Sequence, residues 1–345
     1  MHNGDLLILT ANEVADLLKD REHDIMDAVR VAYDIHSQGG STLPHSLFLH
    51  FPDNARNRII ALPAYLNHDG GIAGMKWVSS FPDNLSLGVD RASAVLVLNS
   101  MQTGRPEALI EGSQISAKRT AASAALAAQY MHADKQVDTA GFVGTGLINH
   151  EIVRFLLAAY PSLKNLVVFD LDRARAEEFK QRCESEFPGV VAVTAGDIPT
   201  VFRSASLVSF ATTAIEPHVH DLKDCAPGST ILHVSLRDLA PEVILACDNV
   251  VDDVDHVCRA KTSIHLAEQY VGHRDFVRCT LAEIFRGEAP ARKDKDSVAV
   301  FSPFGLGVLD IMVGKLVMDL ATQQGMGQVV PSFLPHKEAQ LHLAQ

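Results

Sequence analysis

The sequence predicts an α/β protein in which a doubly wound parallel sheet is inserted into a second, α+β domain. Three observations predict it. The chain has 345 residues, more than one hydrophobic core usually serves, so two domains are expected. After Lys135 short β-branched runs alternate with helical stretches: runs at 139–143, 166–170, 190–193, 207–211, 230–235 and 250–251, with helices that include 147–159 and 173–186. That alternation argues for a parallel sheet with helices on both faces. Residues 305–324 then read as a last long helix that leaves this unit and returns to the first.

The first half has a local reason for each element. Thr10-Ala-Asn-Glu13 reads as a capping box opening a short helix. A second helix carries Ile25, Val29, Ala32, Tyr33 and His36 on one face and stops at Gly39-Gly40. Strand-like segments follow at 47–51, 58–62, 71–80 and 91–100, with Thr103-Gly-Arg-Pro106 as a turn. A long Ala-rich helix spans 113–131, with Ser113 as its N-cap. Residues 1–132 plus 306–345 are read as the substrate-binding domain and 133–305 as the inserted one. The charged stretch Arg292-Lys-Asp-Lys-Asp296 reads as a solvated loop.

Composition narrows the function classes. The chain is 47% hydrophobic and 21% charged, the balance of a globular enzyme and not of a disordered chain. Net charge is −12 with no basic cluster, so no nucleic-acid partner is expected. The N-terminal residues show no basic segment followed by a long apolar run, so no signal peptide is expected. Apolar runs such as Leu6–Leu9 are too short to span a bilayer, so no membrane partner is expected either. Five scattered cysteines without a CxxC pair fit a reducing cytoplasm. Among 16 histidines, His218 and His220 sit two apart with no third ligand near, so no metal is expected and a polar loop is the simpler reading.

A dinucleotide signature joins the first strand of the second half to a helix: Gly141-Phe-Val-Gly-Thr-Gly-Leu-Ile-Asn149. Gly144 permits the tight turn, and Gly146 lets the backbone approach a pyrophosphate at the helix N-terminus, with Thr145, Leu147 and Ile148 beside it. The third position is Asn149, so the helix is expected slightly further from the strand. The next strand ends in Asp170, 21 residues after Asn149, where a ribose-binding carboxylate belongs. The plainer alternative is a structural glycine turn with Asp170 as a helix cap. Asp170 favours NAD, since it repels a 2′-phosphate; Arg173 and Arg175 stand near enough to serve NADP. Thr212 and Thr213, in Ser209-Phe-Ala-Thr-Thr-Ala214, follow a later strand where the cofactor crevice opens, unless they only cap a turn. A Rossmann-type domain follows from these signs.

Oxidation beside a carboxylate needs that carboxylate clamped and a proton removed. Lys76 lies in a glycine-dense strand, Gly71-Ile-Ala-Gly-Met-Lys-Trp77, where backbones or ligands approach closely. Arg119 stands among small residues in Ser116-Ala-Lys-Arg-Thr-Ala-Ala122, either as surface charge or as a clamp. Asp238 follows a strand in His233-Val-Ser-Leu-Arg-Asp238, a place where an aspartate is more often a cap.

Several segments together resemble the ornithine cyclodeaminase/mu-crystallin family over nearly the whole chain: Gly74-Met-Lys-Trp77, Arg119-Thr-Ala-Ala122, Val143-Gly-Thr-Gly-Leu147, Ser235-Leu-Arg-Asp238 and Phe304-Gly-Leu-Gly-Val-Leu-Asp310. The resemblance implies an NAD-dependent enzyme whose substrate domain dimerises. It implies Lys76 and Arg119 at the substrate carboxylate, Asp238 as acid/base and Ser235 at the cofactor. Ser79-Ser-Phe-Pro-Asp-Asn84 and Asp90-Arg-Ala-Ser93 look most like one branch. That branch oxidises N-(2-amino-2-carboxyethyl)-L-glutamate and releases 2,3-diaminopropionate and 2-oxoglutarate, for siderophore or peptide-antibiotic synthesis. Its substrate carries extra carboxylates. Arg91 is expected to reach one, unless it pairs with Asp90 or Asp83 on the surface. Family members often carry Arg or Lys where this chain has His45 and His50, so those histidines are substrate-binding candidates whose charge depends on pH. The alternatives are ornithine cyclodeaminase, alanine dehydrogenase or ketimine reductase, and a crystallin-like ligand-binding protein without catalysis.

Overall fold

In the computed structural model, which describes residues 4–132 and 136–335, the chain divides into two units, Met1–Arg119 with Leu306–Gln345, and Thr120–Gly305. The boundary expected at residue 133 lies outside the described residues. The two units part at Arg119/Thr120, inside the long Ala-rich helix.

The first unit opens with β1 (Leu6–Leu9), α1 (Ala11–Leu17), α2 (Glu22–Ser37), β2 (Ser41–Thr42), β3 (Leu47–Phe51), β4 (Asn54–Leu66), β5 (Ile72–Ser80), β6 (Ala92–Asn99) and β7 (Pro106–Glu111). The capping box forms: Glu13 Oε2 accepts from Thr10 N at 2.8 Å and from Thr10 Oγ1 at 2.7 Å. The apolar stripe of α2 buries Ile25, Met26, Val29, Ala32 and Tyr33 at the spacing of one helix face. His36 instead meets Ser41 Oγ at 2.7 Å. Helix α3 (Ser113–Met131) corrects its expected cap. Ser113 is already helical, and Glu111 caps the turn by accepting from Ser113 N at 2.7 Å and Gln114 N at 3.2 Å. A carboxylate takes two of the orphan amides there and favours the positive end of the helix.

The second unit runs β8 (Thr139–Val143), α4 (Leu147–Ala159), β9 (Asn165–Phe169), α5 (Arg173–Glu186), β10 (Val191–Thr194), α6 (Ile198–Ser204), β11 (Leu207–Phe210), β12 (Thr230–His233), α7 (Pro241–Ala246), β13 (Asp248–Val251), α8 (Val254–Val257), α9 (Ser263–Val271), β14 (Val277–Thr280), α10 (Leu281–Phe285) and β15 (Ala299–Ser302). Its sheet has the order β10-β9-β8-β11-β12-β15-β13-β14, and its neighbours pair in parallel. Strand order reverses at β8. Strand order running outward in both directions from it, with helices between the strands, is the doubly wound Rossmann arrangement. Residues such as Phe142, Phe210, Ile231 and Val300 are buried between them. The loop at 292–296 is not simply solvated. Arg292 is half-buried and donates to Met131 O at 3.0 Å, Thr230 Oγ1 at 3.0 Å and Ser229 O at 3.2 Å. The acceptors at the end of α3 and beside β12 take its N–H groups, so that charge turns inward.

The chain then returns to the first unit with α11 (Gly307–Gln324) and β16 (Gln328–Val330). There the order is β16-β1-β7-β6-β5-β4-β2, with β3 also on β4. Helix α11 packs across β4, β5 and β6. It comes very close. A Cβ on Gly314 would lie 2.1 Å from Leu96 Cδ2, and one on Gly74 would lie 3.2 Å from Ile311 Cγ2. The glycine-dense strand therefore serves close packing, and it brings the start of α11 against Lys76. No described helix is long and apolar enough to cross a membrane.

Candidate active site

The β8–α4 turn has the form a dinucleotide requires. Gly144 holds φ +88°, and a Cβ there would lie 2.5 Å from Ala211 O. A Cβ on Gly146 would meet open space, so the backbone is approachable from outside. No side chain caps the first turn of α4; its amides at Gly146, Leu147 and Ile148 are suited to a pyrophosphate. Asn149, the departure from a third glycine, is fully buried beneath the turn. It donates to Val143 O at 3.0 Å and Gly144 O at 2.6 Å, and accepts from Ser209 Oγ at 2.7 Å. An amide at the third glycine position thus fastens helix to strand by hydrogen bonds in place of close contact. Asp170 ends β9 facing this turn. Its Oδ2 accepts from Thr145 N at 2.9 Å and Thr145 Oγ1 at 2.7 Å, and its Oδ1 accepts from Asp172 N at 3.1 Å. The cap for α5 is Asp172, which accepts from Ala174 N. Asp170 is therefore tied to the glycine turn.

At the carboxyl ends of β11 and β12 lies Asp238, fully buried. Thr212 Oγ1 donates to it, as does Ser235 Oγ at 2.5 Å, and His218 Nε2 and His233 Nε2 stand at 3.1 and 3.2 Å. Burial on its own would raise its pKa. The hydrogen bonds from His218, His233 and Ser235, with the charge of His233, outweigh burial and hold it well below the ordinary carboxylate range. Two residues expected at the cofactor, Thr212 and Ser235, thus direct their hydroxyls to Asp238. Thr213 is exposed. His220, the other member of the histidine pair, meets Glu242 at 3.2 Å. Among the described residues, no group of three or more His, Cys, Asp and Glu is arranged to hold a metal.

The first unit builds a different centre. Lys76 on β5 and Arg119 on α3 both reach Asp310 in the first turn of α11: Lys76 Nζ to Oδ2 is 2.8 Å and Arg119 Nε to Oδ1 is 3.0 Å. Ser116 Oγ accepts from Lys76 Nζ at 3.1 Å. Asp310 is fully buried and the two cations nearly so. Burial, and then the charge of Arg119, draw the Lys76 pKa down to about 8 against the opposing pull of Asp310. Sequence reasoning gave Asp310 no role. Its signal was a lone acid in the apolar run Gly307-Val-Leu-Asp-Ile-Met-Val313.

The remaining candidates lie at the edge of the same unit. Arg91 directly precedes β6 and is half-buried. It does not pair with Asp83, whose partner is Arg56 at 3.1 Å. Burial lowers its pKa. The ladder pairs Lys76 with Leu96 and Ser80 with Ala92, so Arg91 takes the alternate position to the Lys76 face. His45 and His50 are exposed. His50 pairs across the ladder with Arg58 and stacks on Phe48 at 6.0 Å.

Comparison with known proteins places these features. The ornithine cyclodeaminase/mu-crystallin family model matches residues 5–325. The chain belongs to this family. It is 26% identical over 331 residues to the N-((2S)-2-amino-2-carboxyethyl)-L-glutamate dehydrogenase of Staphylococcus aureus, covering 94% of this chain and 98% of that one. It is similar to the structure of an archaeal alanine dehydrogenase dimer with bound NAD, with a TM-score of 0.84 and 26% identity over 94% of this chain and 99% of that one. The fold is also that of Thermococcus litoralis Δ1-pyrroline-2-carboxylate reductase, with a TM-score of 0.88 and 24% identity over 94% of this chain and 100% of that one.

Proposed function

We propose that the protein is an NAD-dependent dehydrogenase that oxidises N-(2-amino-2-carboxyethyl)-L-glutamate at the glutamate α-carbon, and that the resulting imine takes up water to give 2-oxoglutarate and 2,3-diaminopropionate. The observation that carries this is the charge of the Lys76–Asp310–Arg119 centre. Two buried cations converge on one buried carboxylate. Charge-assisted hydrogen bonds from lysine and arginine suit an entering carboxylate. A substrate held beside a reacting α-carbon has that group. NAD, when bound, supplies the two-electron oxidant, and the β8–α4 turn with Asp170 fits it. The residues of the Asp238 centre handle the protons. Arg91 serves only an outer carboxylate, since its strand position alternates with that of Lys76.

The likeness to the Staphylococcus aureus dehydrogenase supports this substrate. Exposed Leu47, Leu49, Trp77 and Val95 lie on β3, β5 and β6, on one face of the ladder with Trp77 opposite Val95. Such an apolar sheet face supports a homodimer, and five free cysteines support a reducing, cytoplasmic setting.

The test is to supply N-(2-amino-2-carboxyethyl)-L-glutamate, L-ornithine and L-alanine separately with NAD, following NADH and products. NADH with 2-oxoglutarate from the first is expected. Proline and ammonia from ornithine without net NADH would overturn the assignment in favour of a cyclodeaminase.

A further inference from the structure

Resting on the substrate proposed above, we propose that Arg58 on β4 binds the side-chain carboxylate of the glutamate half, and so sets a preference for a dicarboxylic acid. The ladder of the first unit's sheet carries the argument. In an antiparallel ladder, residues directly opposite one another share a face, and every second residue returns to it. Leu62 stands opposite Lys76, Ile60 opposite Val78 and Arg58 opposite Ser80, in a run of pairs without a register shift. Strand β3 extends two of these rows, with Phe48 opposite Ile60 and His50 opposite Arg58.

The face that carries Lys76 is therefore banded. Beyond the row of Lys76 comes an apolar row of Phe48, Ile60 and Val78, and then a polar row of His50, Arg58 and Ser80. Helix α11 covers the near end of this face. A Cβ on Gly307 would lie 3.1 Å from Leu62 O, and those on Gly74 and Gly314 would meet Ile311 and Leu96 respectively. The helix thus starts over the Lys76 row and runs towards the beginning of β5, away from Ser80. Burial follows the same gradient: Leu62 and Lys76 are buried, while Ile60, Val78, Arg58 and Ser80 are half-buried.

The bands match one arm of the substrate. Two methylenes separate the glutamate α-carbon from its terminal carboxylate, and an apolar row suits methylenes. The other arm carries an amine, which such a row would desolvate at a cost. The scale also agrees. The rows of Lys76 and Arg58 lie four residues apart along the strands, about 13 Å. The carboxyl carbons of an extended five-carbon diacid are about 5 Å apart, the span of four C–C bonds. A charge-assisted hydrogen bond of about 2.8 Å continues from an oxygen at each end. Long side chains that lean along the strand close the rest. A guanidinium presents a planar fork to that carboxylate, and His50 and Ser80 flank it with further donors. Arg91, at the alternate strand position, is left the carboxylate of the other arm.

The experiment compares two five-carbon keto acids, 2-oxoglutarate and 2-oxopentanoate, which differ only in the terminal carboxylate. Each is titrated calorimetrically into the NAD-saturated, full-length protein. The wild type is expected to prefer 2-oxoglutarate. In Arg58→Met its affinity is expected to fall on the order of 10-fold or more, with 2-oxopentanoate binding unchanged, which also reports an intact fold. Arg58→Lys is expected to recover part of the preference, as a point charge without the fork. Lys76→Met is expected to weaken both acids alike. A preference that survives Arg58→Met, or equal weakening of both acids in that variant, would overturn the role of Arg58 alone. A wild type without any preference would overturn the substrate reading, and this assignment with it.

Discussion

Two buried aspartates organise this protein, and their surroundings differ in one respect. Asp310 faces two permanent or near-permanent cations, Lys76 at 2.8 Å and Arg119 at 3.0 Å. Asp238 faces hydroxyls and imidazoles. The first set is two cations on one carboxylate, the proposed seat of a substrate carboxylate. The second is a carboxylate held ionised among groups that can carry protons, the proposed acid/base centre. The same side chain thus takes a different setting according to the groups that face it.

Removing each carboxylate charge sharpens the contrast. Asp310→Asn removes the carboxylate that both buried cations bond, and breaking a buried ion pair costs about 3–5 kcal/mol. A large drop in thermal and denaturant stability is expected, partly recovered by 2-oxoglutarate as a substitute anion. An unchanged melting curve would mean that the cations are solvated. Asp238→Asn removes no counter-charge from a fixed cation, so its effect falls on turnover. Steady-state kinetics should show kcat reduced on the order of 10²-fold, with NADH binding to the glycine turn retained. Loss of NADH affinity as the main effect would break the division between the two centres.

The cofactor preference is a smaller difference. Asp170 is held against the glycine turn, where its charge opposes a 2′-phosphate, so NAD is expected to bind more tightly than NADP when both are titrated against Trp77 fluorescence. Equal or tighter NADPH binding would assign the ribose end to Arg173 or Arg175. The smallest effect is expected of Arg91→Ala: a few-fold rise in KM for the tricarboxylate substrate and none for L-alanine. An equal rise for both would return Arg91 to a structural role.

Much of this was legible in residue order. The doubly wound sheet follows from the alternation after Lys135, and α2 from its 3.6-residue stripe, because both patterns are local. The family resemblance singled out Lys76, Arg119 and Asp238. What sequence could not give is which distant side chains meet. Asp310 lies 234 residues from Lys76 in the chain, and only the close approach of α11 to β5 and β6, made possible by Gly74 and Gly314, joins them. His218 reads as a polar loop residue because its contact with Asp238, 20 residues on, is visible only in the folded chain. Asn149 looked like a loosened glycine motif because its two carbonyl partners are visible only in the folded turn. Glu111 displaced Ser113 as the cap of α3 for a similar reason: a longer side chain folds back over two amides.

The central claim is that a carboxylate ligand binds at the Lys76–Asp310–Arg119 centre. With its pKa drawn down to about 8, Lys76 is partly neutral at pH 8.5, and an arriving anion favours its charged form. Affinity should therefore weaken as pH rises through that range, and binding there should take up protons. Calorimetric titration of 2-oxoglutarate into the NAD-saturated protein at pH 8.5, in two buffers of different ionisation enthalpy, measures this directly. The account predicts net proton uptake in the wild type that disappears in Lys76→Met; binding of equal strength with no proton uptake, unchanged by Lys76→Met, would contradict it.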